Sequence, residues 1–221
     1  MLDSDRTEYL RGERRAAKNA AQIFTRACQT GDVETFYVAV DQINLVVGGW
    51  LLAMRKVVRE VRVVSPGIQA AFHRVWTESK MLSLDVGNHR VLCGAARLLL
   101  PKYSGPAVRL FRGAAAVEAQ RRTYGLAWST DVKVAEKFAL GRRVMDSGSV
   151  LLETLAAPEA IISEINSTPR REIKKLRRMY PDRVFEENYN EHEYVVDRRY
   201  LNAVSVVRRY EQSSLKPRLP K

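Results

Sequence analysis

Residues Ala107–Arg112 read AVRLFR, and the alternation of apolar and charged side chains along them predicts a strand with Val108, Leu110 and Arg112 on one face. Upstream the period is helical. Glu8–Cys28 (EYLRGERRAAKNAAQIFTRAC) sets Leu10, Ala17, Ala20, Ile23, Phe24 and Ala27 at helical spacing. Gly31 breaks that helix, Asp32 can cap a second, and Gly48-Gly49 interrupts an apolar run. Ser65-Pro66 pairs an N-cap with proline at the first helical position, and Gly87-Asn88 opens a last helix that Pro101 ends. Downstream the pattern changes. Tyr124–Thr130 reads as extended. Val132–Leu140 is a short helix, with Val134 and Phe138 one turn apart and Gly141 as stop signal. Val150–Thr154, Ala160–Ile165, Glu193–Asp197 and Ala203–Arg209 are strands by their β-branched enrichment. Helices first and mostly strands afterwards predict an α+β fold. The expected parts are a helical region over residues 1–103, packing on or flanking a mixed-β core over 104–211, and a basic tail over 212–221 (QSSLKPRLPK).

A chain of 221 residues with 46% hydrophobic content is long enough to bury a sizeable core. Its 37 Lys and Arg against 25 Asp and Glu give a formal charge of +12 and a pI near 10.0, which favours anionic partners. Cys28 and Cys93 lack metal-ligand spacing and there are only three histidines, so no metal is expected. Two cysteines fit a reducing compartment. No secretory signal is visible, and Gln42–Met54 (QINLVVGGWLLAM) is too short to span a bilayer. The expectation is a cytoplasmic protein without a membrane partner.

Three motifs carry chemistry. In LFRG, Leu110–Gly113, an arginine shares an apolar face; burying it is expensive unless it is paired, and its planar fork suits a phosphate or carboxylate. Gly113 would let a backbone approach a ligand closely. The plainer reading makes Arg112 the solvent end of the strand. In GLAWSTD, Gly125–Asp131, the plain reading is that Thr130 or Asp131 caps the following helix. That leaves Ser129, beside the small Gly125 and Ala127, to floor a cleft and orient another polar group. In NEHEYVVD, Asn190–Asp197, Glu191 and Glu193 stand on one face of an extended chain, about 7 Å apart, where like charges repel. A charged strand edge that discourages aggregation is the bland alternative.

Taken in order (arginine on one strand, Ser-Thr on the next, Glu-x-Glu opening a later one), residues 107–197 resemble the arginine–serine–glutamate class of mono-ADP-ribosyltransferases, which includes cholera-like and clostridial binary toxins. The resemblance implies an ADP-ribosyltransferase-like core with NAD+ as co-substrate. It implies that Arg112 braces the NAD phosphates and ribose and that the backbone of Gly113 holds the nicotinamide amide. Ser129 would position the catalytic acid with Thr130 in support, and Phe138 would pack on nicotinamide. Glu193 would be the catalytic glutamate and Glu191 the acceptor-activating one. Asp131 stands where the family usually has a second serine. Residues 1–100 match no family in this reading.

Between Ile165 and Glu191 the chain inserts a basic segment with Arg170, Arg171, Lys174, Lys175, Arg177 and Arg178, expected as a short cationic helix. A solvated charged helix is the common case. In the resembled family this segment faces the acceptor, and with Tyr180 and Tyr189 nearby it would suit a nucleic-acid backbone and base. Nucleic acid is therefore the favoured acceptor and protein arginine the runner-up. An NAD glycohydrolase and a non-catalytic basic nucleic-acid-binding module are the alternatives. A transferase of this type, a toxin or a phage or defence effector, would be toxic when free. A neutralising antitoxin or chaperone protein is thus a further expected partner, at the N-terminal helices or Ile43–Met54.

Overall fold

The computed structural model describes residues 2–79, 81–142, 147–165, 178 and 192–211. The chain divides into two compact units, Met1–Lys102 and Tyr103–Lys221. Tyr103 donates its backbone N–H to the Ile162 carbonyl and so joins the second unit.

The first unit is helical: α1 (Leu2–Thr30), α2 (Val33–Asn44), α3 (Gly49–Glu60), α4 (Pro66–Glu78), α5 (Leu82–Val86) and α6 (His89–Leu99). The small residues Ala17, Ala20, Ala21 and Ala27 line the buried side of α1, where α2 and α3 pack close. Phe24 fills the centre, its ring 4.9 Å from Phe36 and 5.8 Å from Trp50. Burial of such a side chain stabilises by about 1.5–3 kcal/mol. Asp32, Ser65 and Asn88 each accept a bond from the backbone N–H three residues on, so the caps of α2, α4 and α6 are local and readable. Both cysteines are free and buried, and burial pushes the Cys28 thiol up to about 12.

Among the described residues the second unit is built on a six-stranded sheet: β1 (Val108–Ala115), β2 (Ala127–Ser129), β3 (Ser149–Ala156), β4 (Ile161–Glu164), β5 (Glu193–Val196) and β6 (Ser205–Tyr210), in the order β4-β5-β2-β1-β3-β6. Helix α7 (Ala116–Gln120) follows β1, α8 (Val132–Arg142) follows β2, and a 3-10 turn, Arg198–Tyr200, follows β5. One face of the sheet buries Leu110, Ala114, Trp128, Val150, Leu152, Ile161 and Val196 together. The α+β class is therefore present.

The mixed pairing expected for the sheet is not: every described pairing is antiparallel. The physical reason is the path of α8. It carries the chain across β1, so the parallel strands β2 and β3 flank β1 instead of bonding to each other. Gly113 sits at that crossing. A Cβ there would run into the backbone of Ala135, Phe138 and Ala139.

Among the element boundaries that differ from expectation are those of β1, β2 and α8. β1 runs on to Ala115 because its weak strand formers are held by β3, Ala115 opposite Ser149. β2 keeps only three residues, and α8 continues through Gly141. The basic segment apart from Arg178, and the tail 212–221, lie outside the described residues. No helix among the described residues is long and apolar enough to cross a membrane.

Candidate active site on the sheet face of Ser129 and Glu193

Strands β2 and β5 pair with Ala127 opposite Val195, Trp128 opposite Tyr194 and Ser129 opposite Glu193. Trp128 is buried in the core, its indole N–H donating to the Gly125 carbonyl at 3.2 Å. Tyr194 packs on the same core, its ring 5.9 Å from that of Tyr103. Burial, then the neighbouring Glu164 carboxylate, pushes the Tyr194 phenol up to about 12, so the ring stays neutral and holds its strand to the core. Side chains alternate along a strand. The neighbours Ser129 and Glu193 therefore turn together to the opposite face, their Cβ atoms about 4.5–5.5 Å apart.

The row extends further. Phe111 on β1 lies opposite Ser129 on one side and Glu153 of β3 on the other. Glu193, Ser129, Phe111 and Glu153 thus follow one another across four strands on one face. Ser129 is buried, and its Oγ accepts the Asp131 N–H at 3.0 Å. A hydroxyl that accepts one bond keeps its own proton to donate. Asp131 in turn accepts the Lys133 N–H at 2.8 Å and caps α8, so the capping role falls to the aspartate and not to Thr130. Thr130 is exposed; its N–H donates to the His192 carbonyl at 3.3 Å and ties the start of α8 to the entry of β5. His192 itself takes a left-handed φ of 46°, an uncommon conformation for a residue with a Cβ, at the position that launches Glu193.

Arg112 and Gly113 occupy different surroundings. Arg112 points to the Leu110 face, where its side chain is 12% exposed, 4.0 Å from the Glu118 carboxylate. Its guanidinium donates to the Ala127 carbonyl and packs against Gly125, where an added Cβ would collide with it. It braces the strand that carries Ser129. The face of Gly113 is closed by α8, so the close approach expected there is made by the chain's own helix. Phe138, on α8, is 46% exposed. Glu191, Arg170, Arg171, Lys174, Lys175 and Arg177 lie outside the described residues, and Arg178 is exposed. Arg109, Phe111 and Glu153, which the motifs do not pick out, share the face of Ser129. For Arg109 and Phe111 the signal is the other half of the β1 alternation, odd residues against even, and for Glu153 it is the odd half of β3.

Comparison with known proteins gives no match: no family model, no curated protein and no solved structure matches the chain. The functional reading rests on the residues themselves.

Proposed function

We propose that residues 104–211 form an ADP-ribosyltransferase-like core that cleaves NAD+ and transfers ADP-ribose to a macromolecular acceptor. The observation that carries the reading is the direct pairing of Ser129 with Glu193 on one face of the sheet. Cleavage of the nicotinamide–ribose bond sends the bonding electrons to nicotinamide and leaves an oxocarbenium-like sugar. A carboxylate held against the ribose 2′-hydroxyl stabilises that charge. Glu193 supplies the carboxylate, and the Ser129 hydroxyl beside it fixes its direction. Arg112, through the Ala127 carbonyl, holds the backbone of β2 in place beneath them. The acceptor nucleophile then bonds to the anomeric carbon and gives its proton to a general base, the role assigned to Glu191.

The acceptor favoured here is RNA or DNA, because six cations crowd the segment that precedes the Glu-x-Glu and the chain carries +12 overall. Protein arginine is the second reading, favoured by the Glu-x-Glu spacing itself. Incubation of the protein with NAD labelled on the adenylate and with cell lysate tests both. Nuclease-sensitive label on a macromolecule supports the first and protease-sensitive label the second. Free ADP-ribose alone means a glycohydrolase, and intact NAD means a binding module without catalysis.

A further inference from the structure

The row of residues that buries one face of α1 outruns the helices that cover it. Phe24, Ala20 and Ala17 are buried, and the same helical spacing carries the row on toward the N-terminus as Glu13, Leu10 and Arg6. From Arg6 to Ala16 every residue is exposed except Glu13, which is half-buried. The helix lengths explain this. α2 starts just after α1 ends, and its twelve residues run back along α1 for about 18 Å, to the level of Lys18. Leu2–Ala16, about 22 Å of α1, lies beyond that step. At the step the turn between α2 and α3 puts out Leu45 and Val47, 83% and 90% exposed.

This half-helix gains little from its own side chains. Arg11 with Arg15, and Arg14 with Lys18, are like charges one turn apart, which destabilises a helix. A helix of this length without packing is marginal in water. Tyr9 and Leu10 stand near its middle as exposed apolar groups.

A second copy of the same half-helix fits both the length and the charge. Two copies laid antiparallel, each beginning where the other meets its step, bring Leu2 level with Ala17. In the register so fixed, Arg6 of one copy faces Glu13 of the other, twice over, and Tyr9 faces Leu10 twice over at the two-fold axis. Length alone chooses the register, and opposite charges then meet in it. A parallel pair would set Arg6 against Arg6. The facing row is the one that α2 and α3 cover further along, so the first turn of each copy comes to lie against Leu45 and Val47 of the other.

We propose that the protein is a two-fold dimer held by antiparallel pairing of Leu2–Ala16 of α1, with Tyr9 and Leu10 at its centre and an Arg6–Glu13 ion pair on either side. The pairing does not depend on the NAD reading.

Sedimentation of the full chain in an analytical ultracentrifuge tests this. Wild type should be a dimer at about 100 µM, well above a micromolar dissociation constant. Arg6→Glu and Glu13→Arg should each raise the dissociation constant about tenfold or more, because each sets like charges opposite one another at two places. An equimolar mixture of these two variants should dimerise as wild type does, and so should the double variant, since opposite charges then face each other at both places. Leu10→Asp should be monomeric. Far-UV circular dichroism of each variant checks the fold, and recovery in the mixture excludes misfolding as the cause of the losses. A dimer that Arg6→Glu leaves within twofold, or a mixture that binds no tighter than its components, overturns the pairing. A monomeric wild type also overturns it and gives this face to a chain of another kind.

Discussion

Ser129 and Glu193 lie directly opposite each other on β2 and β5, and both turn away from the core that their neighbours Trp128 and Tyr194 help to build. The residues that bury and the residues proposed to react thus come from the same two short strands. The core side chains fix the strands, and the alternation of the backbone then fixes the serine and the acid side by side. No flexible loop is needed to bring them together.

Gly113 is the test of the fold beneath that pair. Gly113→Ala would press a methyl group against three backbone positions of α8. Backbone cannot rotate out of the way, so an overpacking loss of about 1–3 kcal/mol is expected. Urea denaturation followed by Trp fluorescence measures it; an unchanged midpoint would mean that α8 does not cross β1 at this distance.

Tyr194 sets an alkaline limit. Its folded pKa of about 12 lies above the ordinary 10.0, so the protonated phenol is favoured in the fold. That contribution is fully present below pH 10 and is lost as pH rises from 10 to about 12. Tyr194→Phe should cost about 1 kcal/mol near neutral pH, from the lost bond to Glu164, and should shrink the decline above pH 10. Denaturation midpoints measured from pH 8 to 12 check the sign: a decline equally steep in the variant would assign it to other groups, of which Tyr103 and Cys28 are also raised.

Much of this architecture is written locally. Asp32, Ser65 and Asn88 announce their helices because a cap needs only the next three residues. The strand at Val108 and its apolar face are equally local. The partner of that strand is not. Ser129 and Glu193 are far apart in the chain, and only sheet register makes them neighbours. The surroundings of Arg112 were hidden for the same reason. Alternation places it with Leu110, but Gly125, Ala127 and Glu118, which receive its guanidinium, come from segments whose positions depend on the pairing. The end of β1 is not legible locally either, because Gly113, Ala114 and Ala115 have little strand preference of their own.

Glu191→Gln separates the two proposed acids. Its proposed role is toward the acceptor, so nicotinamide release into water should persist while label on the macromolecule disappears. A parallel loss of both activities would assign Glu191 to donor chemistry instead.

Neutralising Arg170, Arg171, Lys174, Lys175, Arg177 and Arg178 should weaken use of a nucleic-acid acceptor. It should also flatten the salt dependence, by ~0.7 in the log–log slope for each lost phosphate contact on a single strand. NAD hydrolysis should change little. A salt slope that stays the same would move the acceptor away from nucleic acid.

Release of nicotinamide from NAD+ by wild type and by Glu193→Gln, at equal NAD occupancy established by calorimetry, decides whether Glu193 is the acid that cleaves NAD+ with Ser129 beside it. Wild type should release nicotinamide, and the variant should do so at a rate lower by ~10²–10³, the usual cost of one transition-state charge, with NAD binding and melting temperature preserved. Equal rates in the two proteins, or no release by a wild-type chain saturated with NAD+ and supplied with lysate, would contradict it.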